Sequence, residues 1–212
     1  MKLKMTAHEY KGKLITFCGL DGSGKTTFIN KISTDLDRIN RNYVVTKQPT
    51  SAVRTSQIFR TYMDSPDHEN YDYRSLSLLA ASDRIQHTNQ FIIPELKKGN
   101  VVLSDRYFYS CLANLKARGF YSDKWIYEIG SYIVKPDISL FFDIDVDIAI
   151  ARVRERASEK DRYIDIELQH RLREQYLSIA EDIGGIIINT TNSFDACYSI
   201  IKEKLKDVGI NV

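Results

Sequence analysis

Gly19-Leu20-Asp21-Gly22-Ser23-Gly24-Lys25-Thr26 fits the pattern G-x-x-x-x-G-K-[ST], the signature of a phosphate-holding loop. Its flanks decide how it is read. The compact apolar run Leu14-Ile15-Thr16-Phe17-Cys18 ahead of it predicts a buried strand. Behind it Phe28, Ile29, Ile32, Leu36 and Ile39 recur at helical spacing. Strand, Gly-rich loop and helix is the context in which the motif holds phosphate. Gly19, Gly22 and Gly24 let successive backbone N–H groups turn toward phosphate oxygens, and the helix N-terminus adds partial positive charge. Lys25 is expected to reach the outer phosphates, and the Thr26 hydroxyl to ligate Mg²⁺.

The bulk properties bound what surrounds that loop. A chain of 212 residues suits one domain with a sizeable core. Its 30 basic and 28 acidic residues nearly cancel, so the strong basic field expected of a nucleic-acid polymer binder is missing. Small anions remain suitable ligands, since a local arginine cluster is enough for them. Cys18, Cys111 and Cys197 are odd in number and contain no C-x-x-C, which reads as reduced packing residues. Cys18 falls in a strand core and Cys197 in a helix core. Met1-Lys2-Leu3-Lys4-Met5 starts no apolar stretch of signal-peptide length, and no run is long enough for a membrane span. A cytoplasmic protein without a membrane partner is expected.

Further strands are predicted at Val44-Val45-Thr46, at Val101 to Ser104, at Ile138 to Ile144 and at Ile186-Ile187-Ile188. Near-continuous apolar runs of this kind suit parallel strands covered on both faces. Helical spacing links Leu78, Ala81, Ile85, Ile92 and Leu96, then Ile148, Ala149 and Val153, then Leu168 to Ile179, then Cys197, Ile200, Ile201 and Leu205. The alternation predicts an α/β fold with a five-stranded parallel sheet flanked by helices. Ligands of such sheets lie beyond the C-terminal strand ends, where the polar motifs fall.

The third strand runs into Asp105-Arg106-Tyr107. A strand-end carboxylate near a phosphate loop suits the Mg²⁺ shell, and the fork of Arg106 suits a second phosphate. Arg152 to Tyr163 is dense in charge, and its four arginines (152, 154, 156 and 162) read as a lid that closes over a transferring phosphoryl group. On spacing alone Arg84 reads as a surface residue of an amphipathic helix. Pro49 follows the second strand as a rigid turn.

Taken in order, GLDGSGKTT, TKQPT, LLAASDRIQHTNQFIIPELKKGNVVLSDRYFYS, KPDISLFFDIDVDIAIARVRER, DRY and REQYLSIA resemble the thymidylate kinases across nearly the whole chain. The resemblance implies a P-loop NTPase fold over residues 1–212, with a small helical lid at about 152–166. It implies transfer of phosphate from ATP, with Mg²⁺, to dTMP. It also implies a homodimer with the helix from about Leu76 to Leu96 in the interface. Residue by residue, it assigns Gly19, Asp21, Gly22, Ser23, Gly24, Lys25, Thr26, Thr27 and Arg152 to ATP. Asp21, Pro49, Arg84, Arg106, Cys111, Asn114 and Tyr163 go to the acceptor nucleotide, with Arg84 at the base and Arg106 at its phosphate. Lys25, Arg106 and Arg156 are the implied catalytic residues, and Thr26 and Asp105 the metal shell. The loop has Gly22 and Ser23 and no arginine, so the lid is expected to supply one.

Three positions depart from the family pattern. Ala80 replaces an aromatic residue four positions before the base-binding arginine, Asn114 replaces a tyrosine, and Ile164 replaces a glutamate. Two other readings therefore stand beside dTMP phosphorylation. One is a kinase of the same branch with a different monophosphate acceptor. The other is a nucleotide-binding switch without catalysis.

Overall fold

The computed structural model describes residues 2–64 and 71–212. Five strands, β1 (Lys13–Gly19), β2 (Tyr43–Lys47), β3 (Val101–Asp105), β4 (Ile138–Asp143) and β5 (Ile186–Asn189), make one sheet in the order β2-β3-β1-β4-β5. Every pairing is parallel. The five predicted apolar runs are these strands, each differing by one residue at one or both ends. β1 is central, with Phe17 beside Asp105 of β3 and Gly19 beside Phe142 of β4.

The helices are the crossovers that parallel strands require. α1 (Lys25–Arg38) joins β1 to β2. α2 (Ser51–Arg54), α3 (Gln57–Asp64), α4 (Tyr73–His87) and α5 (Ile93–Lys98) lie between β2 and β3. α6 (Tyr109–Ala117) and α7 (Trp125–Gly130) lead to β4. α8 (Val146–Arg154) and α9 (Ile166–Ile183) lead to β5, and α10 (Phe194–Asp207) follows it. Alternate residues of β1 feed two apolar layers. Ile15 and Phe17 pack with Phe28, Ile32 and Leu36 of α1 and Ile201 and Leu205 of α10. Leu14 and Cys18 pack with Leu96, Leu112 and Ile179 on the other face. Cys18, Cys111 and Cys197 are free thiols and buried, and burial pushes the Cys18 thiol up to about 12.

Three readings of the helical pattern change. The run from Leu78 to Leu96 is two helices joined by a π-helical turn over Thr88–Ile92. Pro94 stands two residues beyond it and has no N–H to continue an α-helical ladder, and a widened turn accommodates that loss. Leu78 is 48 % exposed, because α4 turns Leu76, Ser77, Ala80, Ala81 and Arg84 inward instead. Ile39, Ile148 and Ile200 are likewise exposed at the margins of their apolar faces. Among the described residues no helix is long and apolar enough to cross a membrane.

Candidate active site

Between β1 and α1 the chain turns through Gly22 at φ 86° and Gly24 at φ 88°. At Gly22 a Cβ would lie 2.2 Å from the Ala149 carbonyl oxygen of α8, so both conformation and space demand glycine. Gly24 is the N-cap of α1 and supplies no side chain to its first turn, whereas Asp72, Asp145, Asp165 and Ser193 cap their own helices. The opening N–H groups of α1 are left for a ligand. Thr26 and Thr27 are exposed there. Lys25 is 6 % exposed and folds back on the loop, donating to the carbonyls of Leu20 at 2.6 Å and Gly19 at 3.2 Å. Burial, reinforced by the nearby Arg106 charge, lowers its pKa to about 8. Arg152 of α8 reaches the Gly22 carbonyl at 3.4 Å.

Arg106 is the first residue past β3. It holds a left-handed backbone, φ 69°, while its N–H donates to the Phe17 carbonyl at 2.8 Å. That conformation aims the guanidinium back over the loop. Nη2 lies 2.6 Å from Asp21 Oδ1, and Nη1 donates to Tyr176 Oη at 3.0 Å. The Tyr176 hydroxyl in turn donates to Ser110 Oγ at 3.0 Å. Arg162, from the segment between α8 and α9, places Nη2 3.2 Å from Asp21 Oδ2 and Nη1 2.8 Å from Glu159. Burial opposes ionisation of Asp21. The charges of Arg106, Lys25 and Arg162 outweigh it and hold the carboxyl far below the usual carboxylate range. Beside this group, Asp105 Oδ2 pairs with Lys47 at 2.8 Å, while its Oδ1 is buried without a partner.

Of these side chains Asp21, Lys47, Arg106, Ser110, Glu159, Arg162 and Tyr176 line a cavity of about 790 Å³, whereas Lys25, Asp105 and Arg152 lie outside its lining. Asp21, Pro49, Arg84, Arg106, Cys111, Asn114 and Tyr163 all line it, so the geometry gathers the expected acceptor set in one place. Arg156 lines it as well, as an exposed residue. Gly19, Ser23 and Thr26 stay outside on the loop and helix start. Arg84 is not a surface residue: it is 2 % exposed, donating from Nη1 to the Ala80 carbonyl at 2.9 Å and from Nε to Tyr107 at 3.3 Å. Amphipathic spacing cannot distinguish a cavity-facing position from a solvent-facing one, because both carry polar residues.

Several contributors escape the sequence pattern. Asp83 accepts hydrogen bonds from the Thr50 N–H at 2.8 Å and from the Thr50 hydroxyl. His87 lies 2.9 Å from Thr46 Oγ1 and 3.0 Å from Gln48 Nε2. Together they clamp the stretch after β2 onto α4, including Pro49 with its cis Gln48–Pro49 bond. Burial lowers the His87 pKa, which keeps the ring neutral between these two neutral partners. At the far end of the cavity Arg118 lies 3.8 Å above the Tyr73 ring and donates to Asn114 Oδ1 at 3.0 Å. Asp83 and Thr50 are 33 residues apart, so only the folded chain reveals their pairing.

A family model described as thymidylate kinase matches residues 17–201. A probable thymidylate kinase of Pyrococcus horikoshii is 32 % identical over 199 residues, covering 92 % of this chain and 97 % of that protein. A thymidylate kinase of Geobacillus is 33 % identical over 199 residues, covering 90 % and 94 %. A thymidylate kinase of Sulfurihydrogenibium is 36 % identical over 211 residues, covering 94 % and 99 %.

Proposed function

The chain belongs to the thymidylate kinase family, and we propose that it transfers the γ-phosphoryl group of ATP to dTMP, giving dTDP. The observation that carries this reading is the meeting of Arg106, Asp21 and Arg162. The phosphate loop, the arginine of the cavity and the segment after α8 converge on one carboxylate. An acceptor phosphate is already anionic and needs no strong base, so catalysis rests on positioning and charge neutralisation.

In this reading the N–H groups of the loop and of α1 hold the donor phosphates. Lys25 leaves the loop carbonyls for the phosphate oxygens. Arg106 takes the acceptor phosphate and Arg84 the base edge. Residues 152–166 act as a lid, with Arg156 and Arg162 meeting the transferring group and Arg152 the donor side. The unpartnered Oδ1 of Asp105 and the exposed Thr26 hydroxyl fit the shell of a hard cation. Among the described residues no cluster of three acidic, His or Cys side chains surrounds them. Mg²⁺ would therefore depend on the nucleotide and water for its remaining ligands, and would neutralise phosphate charge. Phe59, Tyr62 and Tyr73 line the cavity, so aromatic surface is available to a base although position 80 is alanine.

A homodimer through α4 belongs to the same proposal. Leu78 and Leu79 are 48 % and 38 % exposed there, and light scattering of the purified protein should give twice the chain mass. The test of function is transfer from ATP to a panel of deoxy- and ribonucleoside monophosphates. dTMP should be among the best acceptors. A strong preference for another monophosphate, or ATP binding with no transfer to any, overturns the proposal.

A further inference from the structure

Four polar groups on the cavity wall lack partners among the described residues: Gln48 Oε1, Arg54 Nε, Ser77 Oγ and Arg162 Nε. Arg54, the last residue of α2, lines the cavity half-buried, and its Nε is buried without a hydrogen bond. Among the described residues its side chain makes no ion pair. Ser77 lines the same cavity at 2 % exposure, and its Oγ is also unpartnered. Buried polar groups are costly to leave unpaired and most are satisfied, so four on one wall indicate that the missing partner is a ligand. Arg162 already pairs with Asp21 and Glu159, which leaves Arg54 as the cation of the four with none among the described residues.

The scaffold holds Arg54 in place. Its N–H donates to the Thr50 carbonyl at 3.0 Å, and Thr50 is fixed by its two hydrogen bonds to Asp83, the neighbour of Arg84. The backbones of Arg54 and Arg84 are thereby tied together. The acidic residues of the wall, Asp21, Glu159, Asp161 and Asp165, come from the loop and from the segment before α9. Among the described residues none comes from α2, α3 or α4, so this part of the wall offers cations and hydroxyls to whatever enters.

We propose that Arg54, assisted by Ser77, is a further binding residue for the acceptor nucleotide, hydrogen-bonding one of its oxygens. That oxygen belongs to the phosphate or to a base carbonyl; both present the same chemistry to a guanidinium. This rests on the monophosphate-kinase reading above and deepens it. With alanine at position 80, polar contacts take a larger share of the acceptor's affinity.

The test compares wild type, Arg54→Ala and Arg54→Lys. Transfer to dTMP by wild type checks the underlying reading separately. Arg54→Ala should raise the acceptor KM at least 10-fold while the ATP KM stays within twofold and the melting temperature is unchanged. Arg54→Lys should recover part of the loss. An unchanged acceptor KM, or equal rises in both KM values, overturns the proposal. Calorimetry with dTMP and with thymidine then locates the oxygen, and needs no turnover. Loss confined to dTMP assigns the phosphate and loss for both assigns the base, whereas no loss for either overturns the proposal.

Discussion

Lys25 is a cation stored against carbonyl oxygens in a buried loop, and its lowered pKa has consequences for activity and for stability. For activity, the charged form is needed, so kcat/KM should fall as pH rises through about 8. For stability the sign is opposite. The folded pKa is below the unfolded one, so the unfolded chain binds more protons between about 8 and 10.5, and this group's penalty is lifted as pH rises through that window. Lys25→Met should therefore cut turnover by at least ~10³-fold, in the range for loss of a transition-state cation, yet melt no lower than wild type at neutral pH. A melt several degrees lower would show that its carbonyl contacts outweigh its burial. Arg106 makes a different test, because its left-handed φ of 69° strains any residue but glycine. Arg106→Ala and Arg106→Gly should both abolish transfer, while the glycine variant is the more stable by about 1 kcal/mol in denaturant melts. Lys25 could be read from the motif alone, since its spacing to Gly24 defines its place. The burial of Arg84 could not, because helical spacing reports a polar face without saying what that face meets.

At the level of elements, the phosphate loop is shaped by a helix far away in the chain. The carbonyl of Ala149 in α8 occupies the space a side chain at 22 would need. Gly22→Ala combines that clash with a positive φ and should destabilise by about 2–4 kcal/mol in urea unfolding. It should also shift α8 and weaken ATP binding through Arg152. α4 depends on a similar long-range contact. Its Asp83 holds Thr50, and Asp83→Ala should raise the acceptor KM several-fold with little change in the ATP KM, since it releases α2 and Pro49 but not the loop. An equal loss for both nucleotides would show that the clamp supports the whole site. The strands were legible because buried parallel strands are nearly continuous apolar runs. The break in the helix at Thr88–Ile92 was less so, although Pro94 marks the place. Clamps such as Asp83 with Thr50 leave no local trace in composition or period.

For the molecule as a whole, five parallel strands with helical crossovers follow from the alternation of apolar runs, but the order β2-β3-β1-β4-β5 does not. That order is set by which faces the crossovers cover, a property of distant segments. It also has a bearing on synthesis. β1 carries the phosphate loop, yet its two neighbours are β3 and β4, which arrive more than 80 residues later. Gly19 is seated against Phe142, and Gly22 against Ala149. A ribosome that has made the first hundred residues has written the whole phosphate motif and built none of its walls. At the usual ~5–20 residues per second, several seconds pass before the nascent chain has any means of gripping a nucleotide.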